Sequence, residues 1–161
     1  MTDYKTYLDE GISDINNGSY SQAIEKIDKS IELKNDWEIS YFYRAVANQA
    51  LKKYDEAMLD YTKALQINSK MADAYYNRAN IILSRKDIEN PKIENAIEDL
   101  KKALELDEKF IDALFAMAAA YKKLGRYHTA LEYLEKLLEI EPDAIYAKAL
   151  KKLILEKYIV N

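Results

Sequence analysis

The sequence predicts an all-α fold of four helical hairpins stacked in series, and three observations carry that expectation. Ala23, Ala57, Ala96 and Ala130 sit in one recurring setting, after Tyr20-Ser21-Gln22, Tyr54-Asp55-Glu56, Ile93-Glu94-Asn95 and Tyr127-His128-Thr129, at separations of 34, 39 and 34 residues. Upstream, Tyr7, Tyr41, Tyr75 and Leu114 recur at 34, 34 and 39, and four residues after each comes a small one: Gly11, Ala45, Ala79 or Ala118. Only three Gly and two Pro in 161 residues leave little material for the turns of a β-protein. A period of this length marks a repeat array in which each unit buries its apolar face against the next.

Each unit reads as two helices. Apolar residues step by three and four, and Asn17-Gly18-Ser19, Lys52-Lys53, Asp87 to Pro91 and Gly125-Arg126 mark the turn inside each unit. Small residues at matched places let two antiparallel helices approach, so Gly11 is expected to face Ala23, and Ala45 to face Ala57. Ala64 and Ala103 are expected to pack against the following hairpin. Ile31 with Leu33, Leu65 with Ile67, Leu104 with Leu106 and Leu138 with Ile140 close the units. The spacing gives repeats at 4–37, 38–71, 72–110 and 111–144 within a single domain, followed by a helix over 145–159. That last helix carries Tyr146, Ala149, Leu150, Leu153 and Ile154 on one side and lysines elsewhere, the pattern of a lid over the end of the array. The third unit holds five extra residues, Asp87 to Pro91, read as a surface insertion with Pro91 starting the next helix.

Composition excludes several function classes. There is no cysteine, hence no disulfide framework, thiolate metal site or cysteine nucleophile, which fits a reducing cytoplasmic setting. The first ten residues lack the basic start and apolar run of a secretory signal, and no stretch approaches a membrane span. A formal charge of -4 disfavours nucleic acid as a partner. The charge is uneven, because the segment to Trp37 is acidic and the segment from Ile145 is basic. His128 is the single histidine, with no nucleophile beside it, and neither a phosphate-binding glycine loop nor a metal-ligand cluster is present. The reading is therefore of a protein that is not an enzyme and needs no cofactor or metal.

The arrangement resembles the tetratricopeptide repeat, with Ala74-Tyr75-Tyr76-Asn77-Arg78-Ala79-Asn80 the best single match to a consensus first helix. The resemblance covers nearly the whole chain and implies a right-handed superhelical solenoid with a C-terminal capping helix. Departures occur in the first unit, where Asp14 replaces an aromatic and Ser30 an alanine, as an exposed end unit tolerates; only the fourth unit closes with proline, Pro142. The resemblance also implies that first helices line a concave face, here with Leu8, Ile12, Phe42, Tyr43, Val46, Tyr76, Asn77, Asn80, Phe115 and Lys122. Such a surface offers aromatic anchors and amides to an extended or helical peptide. Leu8, Ile12 and Tyr43 stand where relatives that grip a chaperone's terminal carboxylate carry lysine and asparagine, so that mode is rejected. Two readings stay open: an adaptor that binds a partner polypeptide in an aromatic groove, and a self-assembly module whose C-terminal helix packs on another copy.

Overall fold

The structure, a computed structural model, describes residues 3–85 and 89–159. Among these residues the secondary structure is helical: α1 (Tyr4–Asn16), α2 (Tyr20–Leu33), α3 (Glu38–Ala50), α4 (Tyr54–Ile67), α5 (Ala72–Leu83), α6 (Asn90–Leu106), α7 (Ile111–Lys123), α8 (Tyr127–Ile140) and α9 (Ile145–Ile154), with a π-helical turn over Leu155–Ile159. The sequence reads as one array, whereas the chain divides into two compact units, Met1–Ile81 and Ile82–Asn161, with the boundary inside α5.

Three hairpin turns share one chemistry. Gly18, Lys52 and Gly125 hold φ of 78°, 61° and 72°, the left-handed conformation that ends a helix and returns the chain. At each turn one backbone N–H bonds three residues back and the next bonds five back. The pairs are Gly18 to Ile15 and Ser19 to Asp14, Lys52 to Gln49 and Lys53 to Asn48, and Gly125 to Lys122 and Arg126 to Tyr121. These bonds satisfy carbonyls that the helix end would leave unpaired. At the start of α1, Asp3 Oδ1 accepts from the Thr6 N–H at 2.8 Å and from its hydroxyl at 3.0 Å, and the Thr6 N–H is the main cause holding the Asp3 carboxyl below its usual range. Pro91 lies in the first turn of α6, where a missing N–H costs nothing; Asp87 and Ile88 of the insertion lie outside the described residues.

In the first unit, Gly11 meets α2 as the small-residue pattern requires. A Cβ on Gly11 would stand 3.2 Å from the Ala23 carbonyl oxygen and 2.6 Å from Ile27 Cγ1. Leu8, Ala23, Ile27 and Ala47 form one buried cluster, and Ala45, Ala57, Tyr61, Leu65, Ala74 and Ile81 form another. Ser30 is not an exposed end residue. It is fully buried, and its hydroxyl lies 2.9 Å from that of buried Ser40, so the α2–α3 contact satisfies the polarity that replaced alanine. Asp14 is half-buried and its carboxylate pairs with Lys26 at 2.8 Å.

The second unit repeats much of the first. Adding 73 to the residue numbers carries α3 onto α7, α4 onto α8, and the end of α2 onto the end of α6. Its core comprises Ile93, Ile97 and Leu100 of α6, Leu114 and Met117 of α7, and Leu134 and Leu137 of α8. The last helix packs on this unit with part of the expected side, Leu150 half-buried and Ile154 buried, and with Ala147, which lies outside that side. Ala147 and Ile154 are buried, while Tyr146, Ala149 and Leu153 face outward. Lys151 of α9 reaches Glu135 of α8 at 3.1 Å. Tyr158 stacks on Tyr127 with centroids 4.2 Å apart.

Candidate functional site

The first-helix residues of the first unit fall into two kinds. Leu8 is 2% exposed and belongs to the core, three residues before Gly11 on the face that meets α2, so it offers no surface to a partner. Ile12, Phe42, Tyr43, Val46, Tyr76, Asn77 and Asn80 are half-buried. The Phe42 ring stands edge-on to Tyr43 at 5.3 Å and to Tyr61 at 5.8 Å. Tyr61 is fully buried, its hydroxyl donates to Gln49 Oε1 at 2.9 Å, and Asn77 bonds the same phenol. Burial raises the Tyr61 pKa, and the Asn77 bond opposes part of that rise. Two amides and the Phe42 ring thus meet one buried tyrosine, and Tyr43, edge-on to Phe42, packs against the neighbouring cluster of Leu8, Ala23, Ile27 and Ala47.

In the second unit, Phe115 meets the edge of Tyr146 at 5.0 Å, so its ring is engaged by α9. Lys122 is half-buried in the last turn of α7, and Arg126 beyond it pairs with Glu94 at 2.8 Å. Among the described residues, no group of three or more His, Cys, Asp and Glu could hold a metal ion. No helix there is long and apolar enough to cross a membrane.

Sequence reasoning missed an ionic clamp. Arg44 of α3 donates through Nε and Nη2 to both oxygens of Asp60 at 2.8 and 2.7 Å, and through Nη1 to Asp28 at 2.6 Å. It ties α2, α3 and α4 together. The bond to Asp60 is the main cause that raises the Arg44 pKa further. Its signal lay in the spacing, because Asp28 and Asp60 stand sixteen residues to either side of Arg44. One repeat on, Arg78 donates to Thr62 at 3.0 Å over the same interval.

Comparison with known proteins accords with this geometry. The family description "Tetratricopeptide repeat" matches residues 39–71, "TPR repeat" matches 89–125, and "Fis1 C-terminal tetratricopeptide repeat" matches 111–159. The chain is a tetratricopeptide-repeat protein. It is 38% identical over 95 residues to mouse sperm-associated antigen 1, covering 59% of this chain and 10% of that one. It is 27% identical over 132 residues to a TPR repeat-containing protein of Methanocaldococcus jannaschii, covering 82% of this chain and 22% of the relative. The chain therefore spans a tenth to about a fifth of the length of these two relatives. Among solved structures, that of MamA matches with a TM-score of 0.79 and 27% identity, over 86% of this chain and 78% of the other. The fold class is the all-α tetratricopeptide-repeat solenoid, and in general terms such a chain is a protein–protein interaction module, a family role that is typically non-catalytic.

Proposed function

We propose that this tetratricopeptide-repeat protein binds a partner polypeptide segment on the first-helix surface of its first unit, through Phe42, Tyr43, Val46, Tyr76, Asn77 and Asn80, with Ile12 at the margin. The observation that carries this reading is half-buried Phe42, held edge to face between half-buried Tyr43 and buried Tyr61, to which Asn77 also bonds. Large rings fixed in one orientation lose little entropy on binding, and neighbouring amides can pair with a peptide backbone. The preferred ligand is an apolar segment with backbone amides accessible, not a terminal carboxylate. The reading includes no catalysis, no nucleic acid and a cytoplasmic setting.

The test is selection of peptides from a random library on the intact protein, followed by titration against Tyr43→Ala/Asn80→Ala. We expect selected peptides to carry apolar anchors and to lose at least tenfold in affinity with the variant, while far-UV dichroism and melting stay as in the parent. Full affinity in the double variant would move the site off this surface. Phe115 suits such a test less well, because its removal also loosens Tyr146 of α9.

The self-assembly reading is favoured by one observation. Ile145 is 81% exposed and Leu153 44% exposed on α9, which also carries exposed Lys148 and Lys152. A basic, apolar outer face complements the acidic segment before Trp37 of a second copy. Light scattering over a concentration series decides it: a dimer or polymer that Ile145→Lys/Leu153→Lys converts to monomer supports self-assembly, and a monomer throughout removes it.

A further inference from the structure

The register between the two units exposes a vacancy. In the first unit, Tyr41 of α3 lies against the end of α2 and the side of α4. Its hydroxyl donates to the Asn35 carbonyl at 3.0 Å, and the Lys63 ammonium and Arg44 guanidinium stand 6.0 and 5.6 Å from its ring centroid. Seventy-three residues on, Tyr41 becomes Leu114, Asn35 becomes Glu108, Lys63 remains lysine as Lys136, and Arg44 becomes Met117. Leucine lacks both the outer half of the ring and the hydroxyl. At that place the second unit has an open cleft of about 540 Å³, lined by Leu104, Glu108, Leu114, Tyr133, Lys136 and Ile140. Leu114 stands in the register of Tyr41 itself, Glu108 in that of Asn35, which accepts its hydroxyl, and Lys136 in that of Lys63, which covers its ring.

The remaining chemistry matches the missing group. Leu104, Leu114 and Ile140 provide an apolar floor. Lys136 keeps its ammonium in an aromatic setting, 5.0 Å from the Tyr133 centroid, and can cover a second ring face as Lys63 covers that of Tyr41. The carboxylates that hold Arg44 in the first unit are replaced by Lys101 and Tyr133, so no arginine clamp crosses the space. We propose that this cleft receives a tyrosine side chain from a partner polypeptide. The ring rests on the leucines beneath Lys136, and the hydroxyl donates to the Glu108 carbonyl. The cleft is lined by none of the first-unit residues proposed above for peptide binding, so either site can fail while the other stands; only the polypeptide nature of the partner rests on that earlier reading.

The test uses the full chain with labelled methyl groups, titrated with p-cresol, with 4-methylcyclohexanol as a matched shape lacking a π face, and with the pentapeptide Gly-Gly-Tyr-Gly-Gly. We expect saturable shifts at the methyls of Leu104, Leu114 and Ile140 with p-cresol and the peptide, and weaker ones with 4-methylcyclohexanol. Leu114→Tyr, which supplies the ring in cis, should raise the melting temperature and abolish the p-cresol shifts. Exposed Lys136→Gln, which leaves the core intact, should weaken p-cresol roughly three- to fivefold through loss of the cation–π contact. No saturable shift with p-cresol, equal shifts with the saturated alcohol, or unchanged affinity in Lys136→Gln overturns the proposal. A cleft that binds p-cresol but not the tyrosine peptide overturns its polypeptide assignment.

Discussion

Replacing Arg44 with methionine, the residue that stands at the matching place in the second unit, tests how the first unit is held. Asp60 is 9% exposed at its side chain and receives two short bonds from Arg44; its remaining contact is Asn48 Nδ2 at 3.4 Å. Arg44→Met therefore leaves a buried carboxylate with one long hydrogen bond. Orphaning one member of a buried pair costs ~3–5 kcal/mol. Arg44 is a quarter exposed and Asp28 nearly half, so the lower end applies and Asp28 contributes less than ~1 kcal/mol. The expected loss is about 3 kcal/mol. The triple variant Arg44→Met/Asp28→Lys/Asp60→Tyr installs the set found at 117, 101 and 133 and removes the orphan, so it should recover about 2 kcal/mol of that loss. Trp37, the single tryptophan, packs edge-on to Tyr4 at 4.7 Å and reports the first unit. Urea unfolding followed by its fluorescence gives the midpoints at constant slope. A single variant within 1 kcal/mol of the parent, taken roughly as the ceiling for a surface pair, would falsify the clamp. A triple variant as unstable as the single one would refute the orphan-carboxylate reasoning.

Other expectations follow from single positions. Lys52 holds φ 61° at the place that glycine fills in two sister turns, so Lys52→Gly should stabilise by ~0.5–1 kcal/mol; calorimetry should show a melting point higher by roughly 2–4 °C per kcal/mol, and no rise would mean that the turn is unstrained. Gly11→Ala gains ~1 kcal/mol of helix propensity but drives a methyl into fully buried Ile27, an overpacking worth ~1–3 kcal/mol, so a net loss should appear in the Trp37 transition. Burial raises the Tyr61 pKa above its value of 10.0. The stabilising effect of this neutral phenol is thus intact below pH 10 and declines as pH rises, because the unfolded chain releases the proton first. Titrating stability from pH 8 to 11 should give a steeper alkaline fall in the parent than in Tyr61→Phe, and parallel curves would contradict that assignment.

The hairpins were legible because their signals are local. Glycine at 18 and 125 and alanine at the crossings act through backbone geometry that any helix pair must obey. Lys52 escaped as a left-handed residue because nothing in a lysine announces positive φ. Leu8 was misplaced although the sequence held the answer: it lies three residues from Gly11, whose face had already been given to α2. The face of α9 was partly legible: Leu150 and Ile154 of the expected side are half-buried and buried, but Tyr146, Ala149 and Leu153 are exposed, because that side spans too wide an arc of the helix and the buried stripe runs through Ala147, Leu150 and Ile154 at spacings of three and four. The Ser30–Ser40 bond depends on where α2 and α3 touch, which neither residue type reveals.

Sixteen residues is one recurring interval at which side chains on consecutive antiparallel helices meet in this protein. Lys26 meets Glu10, Arg44 meets Asp28 and Asp60, Arg78 meets Thr62, and Lys151 meets Glu135 over that separation. The interval is set by hairpin geometry, so it persists when the residues change. The positions in the second unit that match Asp28, Arg44 and Asp60 hold Lys101, Met117 and Tyr133. The backbone frame is therefore held constant while one unit spends these positions on an ion clamp and the other does not. Met117 is fully buried and Tyr133 stacks on Tyr121 at 5.6 Å, so apolar burial and ring stacking occupy positions that hold charges in the first unit. Releasing the charges removes the guanidinium that covered Tyr41, and with Leu114 in place of that tyrosine the cleft stands open. Individual function in such a protein is read from register differences of this kind, because the period is common to every unit and cannot distinguish one surface from another.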